Sequence, residues 1–252
     1  MKIDLSFSTG QFDELQLRDK HVVVLDVLRA SSTITVALNN GAREIIPVAS
    51  IESAVKISGS LFGEVTLRGG ERNGKIIEGF NLGNSPLEYN EAAVKGKSII
   101  YCTTNGSVAM AKSRYARTLV VGSFLNLTTV VEYIRSENKD FMFICAGRLN
   151  SIGNFSLEDA VCAGMMIHKL MKTESLELNL SDSAKAAQAL YRSFGRSILK
   201  MLKSSEHGKF LIDIGFADDL KICAAVDSVP VLPVQIENKI KLKKEEPPVV
   251  PA

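Results

Sequence analysis

Between His21 and Cys145 the chain alternates short apolar runs with stretches whose apolar residues recur every three or four positions. The runs Val22 to Leu25, Glu44 to Val48, Glu64 to Leu67, Lys97 to Cys102, Thr118 to Val121 and Asp140 to Cys145 are rich in β-branched and aliphatic residues, which suits strands buried on both faces. Between them, Ile34, Ala37 and Leu38 mark a short helix ended by Gly41, and Ser50 caps another over Ser50 to Ile57. Leu87 to Val94, Ser107 to Ser113 and Leu125 to Ser136 carry the same helical spacing. Lys2 to Ser8 alternates apolar and polar residues, as a strand near a sheet edge does. After Cys145 the alternation stops, and Leu157 to Met171, Ser183 to Lys203, Phe210 to Ile214 and Ala217 to Ala225 all predict helices, with Val231 to Ile236 adding a strand. The pattern predicts an α/β fold: a mixed, largely parallel sheet flanked by helices, with a helix-rich C-terminal part. Residues 1–238 form one domain on this reading, with a division into two lobes near 145–155 left open, and 239–252 form a charged, proline-rich tail.

Composition changes this picture little. Hydrophobic residues make up 46% and charged residues 23% of the 252-residue chain, which excludes wholesale disorder. A net charge of +2 without basic runs gives no footprint for nucleic acid, so any anion binding must be local. No segment approaches membrane-spanning length and the first ten residues lack an apolar signal region, so a cytoplasmic protein with no membrane partner is expected. A homo-oligomer is left open. Cys102, Cys145, Cys162 and Cys223 are widely spaced in apolar surroundings, which fits reduced, buried thiols.

The chemistry gathers where strands end. Asp26 follows the Val22 to Leu25 run, where open α/β sheets bind ligands and a buried strand has no structural need of an acid. Arg29 follows in the same loop, and Ser31 and Ser32 stand at the next helix start, whose free N–H groups favour phosphate. An N-cap beside a surface ion pair explains the same residues about equally well. Thr103, Thr104, Asn105 and Gly106 repeat the theme after Cys102. The loop Gly69 to Pro86 is polar and glycine-rich, yet holds Glu71, Arg72, Phe80, Leu82 and Asn84, and reads as an ordered functional loop. After Cys145 come Arg148, the cap residue Ser156 and the paired acids Glu158 and Asp159, of which capping explains Asp159 at least as well as catalysis does. Acid and arginine thus recur at three strand ends: Asp26 with Arg29, Glu71 with Arg72, and Arg148 with Glu158 and Asp159. Carboxylates collected at one edge repel unless a cation joins them, and magnesium suits oxygen ligands and a bridging phosphate. His21, His168 and His207 show no fixed partner in the sequence and read first as structural.

DVLRASSTI at Asp26 to Ile34, GGERNGKIIEGFNLGNSP at Gly69 to Pro86, TTNGS at Thr103 to Ser107, and CAGR with FSLED at Cys145 to Asp159 together resemble the 2-phosphosulfolactate phosphatases, over most of residues 1–236. The resemblance implies a magnesium-dependent phosphatase that converts 2-phosphosulfolactate to 3-sulfolactate and phosphate, a step of coenzyme M biosynthesis, on an α/β fold distinct from the common phosphatase superfamilies. Asp26, Arg29, Glu71, Arg72, Asn84, Thr103, Asn105, Arg148, Glu158 and Asp159 match its motif blocks. Roles follow from chemistry. Asp26, Arg29, Glu71 and Asp159 are the catalytic candidates, and Asp26, Glu71, Glu158 and Asp159 the magnesium ligands. Ser31, Ser32, Arg72, Asn84, Thr103, Thr104, Asn105, Gly106 and Arg148 are the candidates to bind a small anionic phosphorylated substrate.

Two positions depart from the family pattern: Asn81, where an aspartate is expected, and a connection at Leu149 to Asn154 that looks long. A phosphatase for another small phosphorylated carboxylic acid and a non-catalytic α/β anion-binding protein remain alternatives. The haloacid dehalogenase type is disfavoured, because Leu28 stands where its second aspartate belongs. All these readings place Asp26, Thr103 and Arg148 together at the carboxyl ends of neighbouring strands.

Overall fold

The structure is a computed structural model that describes residues 1–60, 66–148, 154–172 and 176–243. The chain runs through β1 (Lys2–Ser6), β2 (His21–Leu25), α1 (Ala30–Asn39), β3 (Glu44–Val48), α2 (Ile51–Ser60), β4 (Thr66–Arg72) and β5 (Lys75–Ile76). It continues through α3 (Glu91–Val94), β6 (Ser98–Cys102), α4 (Gly106–Lys112), β7 (Thr118–Gly122), α5 (Leu127–Glu137) and β8 (Phe141–Cys145). Then follow α6 (Leu157–Met171), β9 (Asn179–Leu180), α7 (Asp182–Phe194), α8 (Ile198–Ser204), α9 (Glu206–Asp213), α10 (Ala217–Cys223), β10 (Pro233–Ile236) and β11 (Lys239–Leu242). The expected class is met: a mixed, largely parallel sheet flanked by helices.

The strands form one sheet in the order β5-β4-β6-β3-β11-β10-β7-β2-β8-β1-β9. It contains two parallel blocks. One is β4, β6 and β3; the other runs from β7 through β2, β8 and β1 to β9. The hairpin of β10 and β11 sits between the blocks and is antiparallel to its neighbour on each side. Three antiparallel steps in a row reverse the strand sense, so a flat sheet would put the carboxyl ends of β2 and β6 on opposite edges. They meet nevertheless: a Cβ added to Gly106, just after β6, would lie 2.5 Å from the Asp26 carboxylate, just after β2. The sheet therefore coils between the blocks, as the fixed hand of strand twist allows. It coils around α1, which touches β3, β10 and β7, and α4, which touches β2, β3 and β6.

The core divides accordingly. Val22, Val24, Leu119 and Val121 of one block face Ile45, Ile99 and Tyr101 of the other across α1 and α4. On the outer face, Val23, Leu25, Phe141 and Phe143 pack against α5 to α10. Because α1 lies between two parts of one sheet it is buried nearly all round, so its hydroxyls must find internal partners.

Several expectations change in detail. Asp26 and Arg148 do follow neighbouring strands, but Thr103 follows β6, which four strands separate from β2. The single helix expected over Ser183 to Lys203 is two, ending at Gly195 and restarting after the cap Ser197, whose hydroxyl accepts the Lys200 N–H. Residues 69–72, expected in a loop, continue β4. Lys239 to Leu242, expected to begin the tail, form β11 in the middle of the sheet. Their charged residues alternate with apolar ones, so Ile240 is buried while Lys239 and Lys241 both reach the buried Glu44. Residues 244–252 lie outside the described residues, as does most of the Leu149 to Asn154 connection. All four cysteines are free and buried. Among the described residues no helix is long and apolar enough to cross a membrane.

Candidate active site

Asp26 ends the apolar run of β2 and is 6% exposed. Its N–H donates to Ser31 Oγ at 3.1 Å, the Ser31 N–H donates to the Asp26 carbonyl at 2.8 Å, and the Ala30 N–H reaches the carboxylate. The first donors of α1 thus turn inward onto Asp26. Ser31 and Ser32 are fully buried, and the Ser32 hydroxyl donates to the Val27 carbonyl at 2.8 Å. They brace the strand-to-helix turn. Gly106 makes this arrangement possible, since any side chain there would run into Asp26 and Ala30.

Arg29 points away from this carboxylate. It is 2% exposed, its two terminal nitrogens donate to Asp219 Oδ2 and the Gly74 carbonyl, both at 2.7 Å, and its guanidinium stacks 4.3 Å over the Phe216 ring. From the other parallel block comes Glu71, buried at the end of β4, whose Oε2 accepts the Gly74 N–H at 2.8 Å and whose Oε1 accepts the Thr104 N–H at 2.7 Å. Arg72 donates to the Glu71 carbonyl and to Cys102 Sγ. Thr103 is buried and exchanges hydrogen bonds with Ser107 at the start of α4, and half-buried Asn105 precedes Gly106. Asn84 is buried, accepting from the Tyr101 hydroxyl through its side chain and from Thr33 Oγ1 through its carbonyl. Asn81 is exposed and accepts the Arg68 N–H, so the departure from the family pattern at this position shapes a turn away from the acids.

The third contribution comes from α6 and α9. Glu158 and Asp159, in the first turn of α6, are each 2% exposed. Asp159 Oδ1 accepts the Val27 N–H at 2.8 Å, tying α6 to the loop that carries Asp26. Glu158 Oε1 lies 3.4 Å from His207 Nδ1 in the first turn of α9. A cavity of about 280 Å³ opens here, lined by Glu158 and His207 with Arg148, Phe155, Ser156 and Ser205 among others. Arg148 stands at its rim, its side chain 30% exposed, 3.5 Å from the exposed Glu206. A larger groove of about 710 Å³ lies elsewhere, along α5, the residues leading into β10 and the end of β11, and contains none of these acids.

The four carboxylates act on one another. Burial pushes Asp26 up to about 6, with His207 opposing the rise and Glu71 and Glu158 adding to it. Burial also pushes Asp159 well above the usual carboxylate range, reinforced by Asp26 and Glu158 and opposed by the Val27 N–H. Burial acts on Glu158 in the same direction, but His207 outweighs it, by hydrogen bond and by charge, and holds this acid below its ordinary value. The site therefore contains one acid kept ionised beside an imidazole and two that resist ionisation. That is the donor chemistry a hard divalent cation relieves. Among the described residues no three such groups stand at ligand spacing, so the expected set of four magnesium ligands, Asp26, Glu71, Glu158 and Asp159, is not assembled as one cluster, and the residues fit a cation that takes one or two carboxylates.

Of the positions expected from the sequence, the structure brings together Asp26, Glu71, Glu158, Asp159, Thr104 and Gly106, with Arg148 at the rim. It places Arg29, Ser31, Ser32, Thr103 and Asn84 behind them, in the framework. Two further residues emerge. His207 faces Glu158 across sequence, so only the fold reveals the pair. Asp219 is 1% exposed and accepts from Arg29 and from Ser85 Oγ, the latter at 2.6 Å. It lies on the apolar stripe of Phe216, Leu220 and Cys223, and an acid on a buried helix face is a signal legible in sequence.

Known proteins resemble the chain over most of its length. The profile of the family described as 2-phosphosulpholactate phosphatase matches residues 8–238. A protein of Caldanaerobacter subterraneus subsp. tengcongensis named "Probable 2-phosphosulfolactate phosphatase" is 40% identical over 231 residues, covering 92% of this chain and 93% of its own. Proteins of the same name from Clostridium acetobutylicum and Thermotoga maritima are 39% and 41% identical, covering 95% and 88% of this chain and 100% and 92% of their own.

Proposed function

The chain belongs to the 2-phosphosulfolactate phosphatase family, and on that premise we propose that it hydrolyses 2-phosphosulfolactate to 3-sulfolactate and phosphate with magnesium. The observation that carries the reading is the convergence of Asp26, Glu71, Glu158 and Asp159 from three separate segments beside the cavity that Arg148 and His207 line. Uncompensated, these acids would repel a phosphate.

Asp26 and Asp159 are the carboxylates that would hold magnesium, because burial and mutual repulsion leave each of them in need of a positive neighbour. Bound magnesium supplies charge for the phosphate oxygens. Glu158 lines the cavity in its ionised form and accepts a proton from water as the water oxygen bonds to phosphorus. The phosphorus bond to the ester oxygen breaks, and that oxygen takes a proton from solvent water to become the sulfolactate hydroxyl, while Glu158 returns its own proton to solvent. His207 orients Glu158. Arg148 meets the sulfonate or carboxylate, for which its planar fork of donors suits acceptors that stay ionised.

Phosphate release from 2-phosphosulfolactate by the purified protein tests the proposal. Turnover should vanish with excess chelator and return with added magnesium. Full turnover in chelator would refute the metal, and no turnover with magnesium would refute the phosphatase.

A further inference from the structure

One hydrogen-bonded chain runs through the framework behind the acids without belonging to any of the resemblance-bearing segments at its far end. It starts at Asp219 in α10. Its Oδ1 accepts from Ser85 Oγ at 2.6 Å and its Oδ2 accepts from Arg29 at 2.7 Å. The second Arg29 nitrogen donates to the Gly74 carbonyl at 2.7 Å, the Gly74 N–H donates to Glu71 Oε2 at 2.8 Å, and Glu71 Oε1 takes the Thr104 N–H at 2.7 Å. Both Arg29 and Asp219 side chains are essentially excluded from water, at 1% and 2% exposure. The turn at Gly74 is clamped from the same side, since a Cβ there would lie 2.5 Å from Ile214 and 2.9 Å from Phe210, and its φ of +75° suits glycine.

We propose that Asp219 is a positioning residue for the reaction, acting through Arg29 and the Gly74 peptide to fix the Glu71 carboxylate and, through it, the Thr104 to Gly106 turn against Asp26. The chain is directional. The Asp219 charge orients the guanidinium, the guanidinium fixes the Gly74 peptide plane, and that plane aims its N–H at Glu71. A carboxylate whose two oxygens each receive a backbone N–H is held in one orientation, which sets where the turn carrying Gly106 can lie. The C-terminal helices thereby set the geometry of two strand ends that precede them in the chain by more than a hundred residues.

The role at the reaction rests on the phosphatase reading, whereas the coupling itself can be measured without substrate. Asp219→Asn keeps the shape, and with its amide oxygen accepting from Arg29 and its amide N–H donating to Ser85 Oγ it keeps a partner for each, but it removes the charge. It is expected to lower kcat roughly ten- to a hundredfold, the scale of a sub-ångström misplacement, with KM within about twofold. Amide hydrogen exchange at Gly74 and Thr104 should accelerate by roughly tenfold or more, while amides of β2 and β8 keep their protection. Ser85→Ala removes one hydrogen bond and leaves the ion pair, so it should show the same local pattern more weakly, and it decides the question if Asp219→Asn does not fold. Acceleration spread evenly over the protein, or unchanged exchange at Gly74 and Thr104, would overturn the proposal. A wild-type protein that releases no phosphate would instead overturn the proposed function, and the exchange pattern would still decide the coupling.

Discussion

Arg29 and Arg148 follow neighbouring parallel strands by a few residues, and by sequence they are equivalent candidates to meet an anion. The structure separates them. Arg29 lies in the floor, its side chain 1% exposed, and its donors go to Asp219 and Gly74 at 2.7 Å. Arg148 stands at the rim with 30% of its side chain exposed, 3.5 Å from a glutamate that is itself 84% exposed. A guanidinium enclosed among acceptors holds segments of chain together, and one beside a cavity can meet a ligand. The same residue type after the same kind of strand thus serves framework in one place and pocket in the other, and burial decides which.

The largest expected effect breaks the floor. Arg29→Met leaves Asp219 buried without a counter-charge, and removing one partner of a buried ion pair costs about 3–5 kcal/mol. Urea unfolding should show that loss, or no folded protein. A loss under about 1 kcal/mol would mean that water reaches Asp219 and that Arg29 is no floor at all. Arg148→Ala should leave unfolding unchanged. It should weaken kcat/KM for 2-phosphosulfolactate by roughly 2–4 kcal/mol, the range for truncating one partner of a desolvated charge pair, and spare a small phosphate ester without a sulfonate. Equal losses on the two substrates would place Arg148 on the phosphate.

Between floor and rim stand the acids, and their balance can be read as stability against pH. Asp26, pushed up to about 6, and Asp159, pushed well above the usual carboxylate range, bind protons more tightly in the folded protein than in the unfolded chain. An acid raised in this way stabilises the fold at low pH, and that contribution is lost as pH rises from near its ordinary value through its folded one. Without metal, the protein should lose roughly 2–3 kcal/mol from Asp26 alone between about pH 4 and pH 7. Magnesium should restore part of it at pH 7, and Asp26→Asn should remove the Asp26 share of the slope and abolish turnover. Thermal unfolding with and without magnesium across this range measures it. A flat profile would mean that the acids are already compensated and that the cation argument fails.

How much of this was legible in the sequence follows from what each feature depends on. The strands and most helices were readable because their burial is periodic, and the acids because a carboxylate directly after an apolar strand has no packing role. The meeting of β2 with β6 was not readable. It depends on the hairpin of β10 and β11 lying in the sheet between two blocks that precede it in the chain, and half of that hairpin, Lys239 to Leu242, resembles a charged tail by composition. Its alternation was the better guide. The helix-start rule identified α1 as a source of N–H donors but not their direction, and here they turn back onto Asp26. His207 depended on a contact with Glu158 across 49 positions, which no local pattern encodes. Asp219 was readable by its place on an apolar stripe, a sign no weaker than the one that singled out Asp26.

The smallest expected effect tests whether the rim is as independent as the comparison requires. Glu206 is the exposed partner of Arg148, and an ion pair this open to water contributes little to folding. Glu206→Gln should therefore leave unfolding unchanged. It removes a negative charge from the wall of the cavity that receives the substrate, so KM for 2-phosphosulfolactate should fall by roughly twofold at low salt, with kcat unaltered, and the gain should shrink as salt screens it. The measurement is KM at two ionic strengths. A change confined to KM and erased by salt would mark Arg148 as a residue that meets the ligand from the rim. A change in kcat would mean that Glu206 acts on its neighbour His207 and so on Glu158, and the boundary between rim and acids would have to be moved inward.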